Sequence, residues 1–188
     1  VGSEMCIRDS CITEHWLSLN EKSNLIINNW KVASIFCRSS SLHGGSMILC
    51  KNSNYDTIDF VQSLSIENVC ELSAVNIVIN KVCIISVYRP PIGDFHVFLS
   101  VIEKALNLLF NSSYTNIVLC GDFNCKFNTN NPERNSLIDL LSSFGLKQTI
   151  FEPTRKNNCL DNVFINFSED NFISNVVPME FSDHFGQI

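Results

Sequence analysis

An α/β or α+β domain is predicted by three observations: short apolar runs of strand length bounded by turn residues, two segments with helical spacing, and a hairpin signature. The strand-like runs are Ser46 to Cys50, Ala74 to Ile79, Val82 to Tyr88, Asn116 to Cys120 and Asn162 to Ile165. The second and third are separated by Asn80 and Lys81, which reads as an antiparallel hairpin with Asn in its turn. Phe95, Phe98, Leu99, Ile102, Leu106 and Leu109 recur at helical spacing, with Asp94 as N-cap and Ser112 after the far end. Leu137, Leu140, Leu141 and Phe144 repeat the pattern, so a second helix is expected over 132–144, with Gly145 at its C-terminal cap.

Composition bounds this reading. With 188 residues, 45% hydrophobic and 17% charged, the chain is large enough for one domain with a sizeable core. No run nears the eighteen or so apolar residues of a membrane span, so no membrane partner is expected. A net charge of −6 argues against a broad basic face for gripping nucleic acid, although a bound divalent cation reverses the sign of an acidic site locally. Nine cysteines without a CxxC, an odd total, and Cys50, Cys83 and Cys120 inside apolar runs favour buried free thiols in a reducing compartment. The fourteen phenylalanines are read as core filler between layers. Residues 1–10, VGSEMCIRDS, show neither period nor the apolar core of a signal peptide, and are set aside as translated linker sequence, which leaves 11–188 as the domain.

The segment Asn116 to Asn124, NIVLCGDFN, carries the strongest chemical signal. If the strand geometry continues past Cys120, Asp122 and Asn124 share a face, a carboxylate for water or metal beside a carboxamide able to donate to a phosphate oxygen. Alternatively, Gly121 and Asp122 only make a turn and Asn124 caps the next segment. FSDH, Phe181 to His184, sets an acid beside an imidazole, where only irregular backbone brings both into one site. CITEHW offers Glu14 as a hard-metal ligand, and VYRPP offers Tyr88 as a hydrogen-bond donor and Arg89 as a phosphate grip at a proline-terminated strand end. Taken singly, each has a bland reading: an exposed glutamate, a turn aspartate at Asp161, a half-buried tyrosine.

In order, Glu14, Tyr88, Asp122 with Asn124, Asp161, and Asp183 with His184 resemble the motif series of the endonuclease/exonuclease/phosphatase superfamily. YRPP, GDFN, PTR at Pro153 to Arg155, LDNVF and SDH resemble most the endonuclease domains of non-LTR retrotransposons, over about Cys11 to the C-terminus. The resemblance implies a four-layer α/β sandwich, two mainly antiparallel sheets face to face and flanked by helices, lacking the first strand and incomplete at both ends. It implies Mg²⁺-dependent hydrolysis of a phosphodiester (Mn²⁺ as a substitute), with DNA as partner and a reverse transcriptase in the same polypeptide. By the same resemblance Glu14 and Asp183 hold the metal, Asp122 orients or deprotonates water, and Asn124 bonds the phosphate. His184 donates to a nonbridging oxygen with Asp161 on its other ring nitrogen, Tyr88 stabilises developing charge, and Arg89 and Arg155 contact phosphate or DNA. A nuclear location follows from that substrate. The family pattern has an asparagine on its first strand, for which this chain has no room, so an inactive remnant is one alternative reading. Another is a phosphodiesterase or phosphatase of the same superfamily.

Overall fold

The computed structural model describes residues 9–51, 54–168, 173–180 and 182–188; most of the 1–10 segment and Phe181 of FSDH lie outside the described residues. The chain opens with β1 (Asp9–Thr13), the short α1 (Leu19–Lys22), β2 (Lys31–Phe36) and β3 (Ser46–Cys50). It continues through β4 (Tyr55–Thr57), the short α2 (Asp59–Gln62), β5 (Glu71–Ile77), β6 (Val82–Tyr88) and α3 (Phe95–Asn111). The remainder is β7 (Asn116–Asp122), α4 (Pro132–Ser143), β8 (Lys147–Gln148), β9 (Asp161–Ile165), β10 (Val176–Val177) and β11 (Gly186–Gln187).

Two sheets carry the architecture. One has three antiparallel strands in the order β1-β3-β2, the other six in the order β4-β5-β6-β7-β9-β8; β10 and β11 pair separately. Within the large sheet only β6 and β7 run parallel, because the long α3 carries the chain back between them. The alternation of β6 and β7 shows why the sheet has two different faces. Cys83, Ile85, Val87, Ile117 and Leu119 meet Phe98, Ile102, Leu106 and Leu109 of α3, while Ile84 and Val75 meet Ile48 and Ala33 of the small sheet. Leu17, Leu25, Ile27 and Trp30 cover the outer face of the small sheet. The expected mixed α/β sandwich, sheets packed face to face and flanked by helices, is what the chain forms, although its outer layer over the small sheet is mostly loop.

The long helix follows its sequence signals closely. Asp94 caps it by accepting from the backbone N–H of His96 and Val97 at 2.8 and 3.0 Å, and Ser112 ends it. Its buried face, Phe98, Val101, Ile102, Ala105, Leu106 and Leu109, supplies on the order of 10 kcal/mol of gross apolar burial against the sheet. The second helix runs to Ser143, with Asn131 as N-cap and Gly145 beyond its end at φ +74°.

Strand boundaries move where polar residues carry on a ladder that apolar patterning does not show. β5 starts at Glu71, three residues before the expected Ala74, and ends at Ile77. The hairpin turn is therefore the four residues 78–81: Val78 donates its N–H to Asn54 O, and Lys81 takes a left-handed φ of +52°. β7 extends past Cys120 to Asp122, β9 begins at Asp161, and β1 begins at Asp9, where Asp9 and Ser10 pair with Cys50 and Leu49. The described cysteines are free thiols, and burial pushes those of Cys50 and Cys83 up to about 12. Among the described residues no helix is long and apolar enough to cross a membrane.

Candidate active site

Register across the large sheet builds the site. Tyr88 of β6 pairs with Asp122 of β7, Asp122 pairs with Asp161 of β9, and on the other side Tyr88 pairs with Glu71 of β5. Directly opposed residues on neighbouring strands point to one face about 4.8 Å apart. Val87 and Leu119 belong to the helix-side core, so this row faces the small sheet, at the rim where β6 and β7 end.

Glu14 reaches the row from the small sheet. It leaves β1 at a φ of +53°, its N–H donates to Gly45 O at 2.9 Å, and the Tyr88 hydroxyl donates to its carboxylate. Burial, then the Glu14 contact, pushes the Tyr88 phenol well above its usual range. The neighbouring His15 accepts at Nδ1 from the Leu17 N–H (3.0 Å) and donates from Nε2 to Phe36 O (2.9 Å), which fixes a neutral tautomer; burial lowers its pKa accordingly.

Asp122 and Asn124 do come together, by a route other than continued extension. Asn124 has a left-handed φ of +45° and closes an Asx turn, its N–H donating to Asp122 Oδ1 at 2.9 Å. Its carboxamide nitrogen donates to Asp122 Oδ2 (3.1 Å) and to Arg89 O (2.8 Å). Both amide hydrogens are thereby committed, so the expected donation to a phosphate is replaced by a brace on Asp122. Between the two, Phe123 is fully buried against Phe98, Phe127 and Phe164.

At the far end His184 Nδ1 donates to both oxygens of Asp161, at 3.1 and 2.9 Å, which leaves Nε2 as the ring atom able to meet a ligand. That contact raises the His184 pKa. Asp161 is itself fixed from beneath by Thr154, whose buried hydroxyl oxygen accepts from the N–H of Leu160 and of Asp161, each at 3.0 Å. Thr154 was legible only as the middle residue of PTR. Asp183 forms an exposed pair with Arg155 at 2.7 and 2.9 Å, which lowers its pKa.

Arg89 requires a correction. Expected to grip a phosphate, it is buried, with its guanidinium 5.0 and 5.7 Å from the Phe95 and Phe98 ring centres. Its terminal nitrogens donate to the carbonyls of Phe123, Asn124 and Gly93 and to Glu133 at 3.3–3.4 Å. It holds the GDFN turn from inside because a guanidinium fork matches several converging carbonyls at once.

The electrostatics are those of crowded acids. Burial, and then the charge of Asp161, pushes Asp122 up to about 7, while the Asn124 N–H and His184 oppose the rise. One donor atom each from Asp122, Asp161 and His184 lies within 4.8 Å of the others, an arrangement of hard oxygens and an imidazole that suits a divalent cation. A cation offsets the Asp161 repulsion that adds to burial in raising Asp122, so the residues present fit such an ion. The sign for stability follows. Asp122 binds its proton more tightly folded than unfolded, where a pKa of about 3.9 applies, so its contribution is full below about 4 and lost as pH rises through about 7. His184, also raised, acts in the same direction. The melting temperature in EDTA is expected to fall between about pH 5 and pH 8, and a divalent cation to restore most of the loss at the upper end; thermal scans with and without the ion check both.

A face-to-face sandwich with acids, a tyrosine and an Asp-paired histidine on one rim defines a domain of the endonuclease/exonuclease/phosphatase class. The pattern of the endonuclease-reverse transcriptase family matches residues 82–188, more than half of the chain, and the chain belongs to that family. Three solved structures show the same fold. The endonuclease domain of TRAS1, a telomere-specific non-LTR retrotransposon, superposes with a TM-score of 0.64 at 16% identity, covering 96% of this chain and 84% of its own. The 3′ phosphatase NExo from Neisseria, bound to a product DNA hairpin, gives 0.68 at 13% identity, covering 97% and 88%. An endonuclease/exonuclease/phosphatase family protein from Leptotrichia buccalis gives 0.56 at 14%, covering 96% and 85%. No curated protein sequence matches the chain.

Proposed function

We propose that this domain hydrolyses a phosphodiester of DNA in the presence of Mg²⁺ (or Mn²⁺), as the nicking module of a retroelement whose reverse transcriptase is part of the same polypeptide. The observation that carries the reading is the in-register row of Tyr88, Asp122 and Asp161, closed by Glu14 at one end and His184 at the other. Chromosomal DNA as substrate makes the nucleus the place of action.

Glu14 is the carboxylate assigned to the ion, beside the carboxylates of Asp122 and Asp161; His184, with both ring nitrogens used as donors, is not one of its ligands. Asp183, the second carboxylate assigned to the ion, is held through one oxygen by Arg155. When bound, the cation supplies positive charge to the phosphate and to the leaving oxygen. Asp122, buried at the strand end beside Asp161, is placed to take a proton from water. Its two oxygens are aimed by Asn124, so the base keeps one orientation. The water oxygen bonds to phosphorus as the P–O3′ bond breaks, the water proton passes to Asp122, and the 3′ oxygen leaves as an alkoxide that takes a proton from solvent to become a hydroxyl, leaving a 5′ phosphate on the other fragment. His184 donates from Nε2 to a nonbridging oxygen, with Asp161 holding its ring. Tyr88 keeps its proton throughout, because its phenol is pushed up, and donates it as a hydrogen bond. Arg155 and Lys156, on the loop before β9, offer positive charge to the DNA backbone in an otherwise acidic protein.

Supercoiled plasmid is expected to convert to open circle in Mg²⁺ and to remain intact with EDTA; agarose electrophoresis reads both. The fold shared with a 3′ phosphatase favours one second reading, release of phosphate from a 3′ end. A 3′-phosphorylated oligonucleotide in the same buffer separates the two: phosphate release without plasmid nicking replaces the endonuclease reading.

A further inference from the structure

The row of rim residues has a fourth member that the proposed chemistry leaves unused. Glu71, at the start of β5, is fully buried yet ionisable. Its Oε1 accepts from Arg38 Nε at 2.6 Å and from the Asn68 N–H at 3.2 Å, and its Oε2 accepts from the Gly45 N–H at 2.5 Å. Gly45 in turn accepts the Glu14 N–H at 2.9 Å. The Arg38 side chain is only 8% exposed, and its guanidinium lies 5.9 Å from the centre of the Tyr88 ring, whose hydroxyl donates to the Glu14 carboxylate. Glu14 is therefore gripped twice, by backbone through Gly45 and by side chain through Tyr88, and both grips lead back to one ion pair. The glycines admit this arrangement and little else: a Cβ on Gly44 would meet the Arg38 guanidinium at 2.3 Å, and one on Gly45 the His15 ring at 2.3 Å.

A buried ion pair is a poor device for stability, since desolvating two charges offsets most of their attraction and an apolar pair often serves as well. What this pair does that an apolar pair cannot is accept the Gly45 N–H and keep Glu14, with its left-handed φ of +53°, in a single pose. We propose that Arg38 and Glu71 are positioning residues that set Glu14 for a divalent cation. The inference rests on the reading of Glu14 as a ligand for that ion. Partners that orient ligands to a metal typically govern its affinity by roughly 10- to 100-fold.

Mn²⁺ titration followed by electron paramagnetic resonance reads the site without need of turnover. Glu71→Gln is expected to weaken Mn²⁺ binding at least about 10-fold, and to raise by a similar factor the Mg²⁺ concentration for half-maximal nicking, with rate at saturating Mg²⁺ close to the parent. In a Glu14→Gln background the same change is expected to cost nothing more, because its target is gone. A folded Glu71→Gln protein that binds Mn²⁺ like its parent, or losses that multiply in the double variant, overturns the inference while leaving the functional reading intact. Glu14→Gln that binds like the parent overturns the ligand assignment and the inference with it. Should Glu71→Gln fail to fold, Arg38→Lys keeps the charge but loses the Nε–H donor, and the same shift in Mn²⁺ affinity is required of it.

Discussion

Asp122→Asn is expected to reduce plasmid nicking by roughly 10²- to 10⁴-fold, the range associated with losing a positioned general base. The substitution is close to isosteric and keeps an oxygen for the Asn124 N–H, but it sets an NH₂ group against the Asn124 carboxamide and removes both the negative charge and the capacity to take a proton. A second effect runs the other way. The wild-type carboxylate is buried beside Asp161 and held up to about 7, so ionising it near neutral pH works against the fold. An amide has nothing to ionise. In EDTA the variant is expected to lose much of the pH dependence of its melting temperature and to exceed the parent above about pH 7, while the difference shrinks below about pH 4, where the carboxyl becomes protonated in both folded and unfolded chains. A group that matters only for folding does not lose activity while gaining stability. Parental nicking by the folded variant would remove Asp122 from the mechanism.

Gly121→Ala is expected to destabilise the domain by on the order of 4 kcal/mol and to dismantle the site with it. Gly121 has a φ of +138°, which an L side chain rarely adopts, and an added Cβ would meet the Val87 carbonyl oxygen at 2.0 Å. The contact is with backbone of the paired strand, so no rotamer relieves it. Relief requires β6 and β7 to separate where Tyr88 and Asp122 sit side by side. Chemical denaturation is expected to show a lower midpoint with an unchanged slope, and nicking to fall further than the loss of folded protein accounts for. Parental stability in the Gly121→Ala chain would mean that the close approach of the two strands is not required.

Legibility in the sequence tracked how local the cause was. The helix from Phe95 was readable because its cap, its apolar stripe and its stop are all within the segment itself, and the structure places them where the pattern did. Ser46–Cys50 and Val82–Tyr88 were readable because both are buried over most of their length. Strand ends were harder. Glu71, Asp122 and Asp161 extend their strands as polar residues, so apolar runs stop short of them, although the ladder does not. β4, β8, β10 and β11, of two or three residues each, show no period at all. Asp122 with Asn124 was predicted as a pair for the wrong geometric reason, since a left-handed residue rather than an extended one folds the amide back.

Arg89 shows the same limit in the site. Position beside Tyr88 at a strand end cannot say whether a guanidinium points to solvent or into the core, and the answer depends on carbonyls of Phe123 and Asn124, more than thirty residues away. Glu71 was passed over because its partners, Arg38 and Gly45, lie 33 and 26 residues distant. The linear chain by itself specified which residue types were at hand and where helices and buried strands run, because propensity, capping and burial act over a few neighbours. Which acids face each other, which arginine is enclosed, and how Glu14 is held were decided only when strands from distant parts of the chain came into register, since hydrogen bonding across a sheet and the cost of burying charge depend on what arrives from elsewhere.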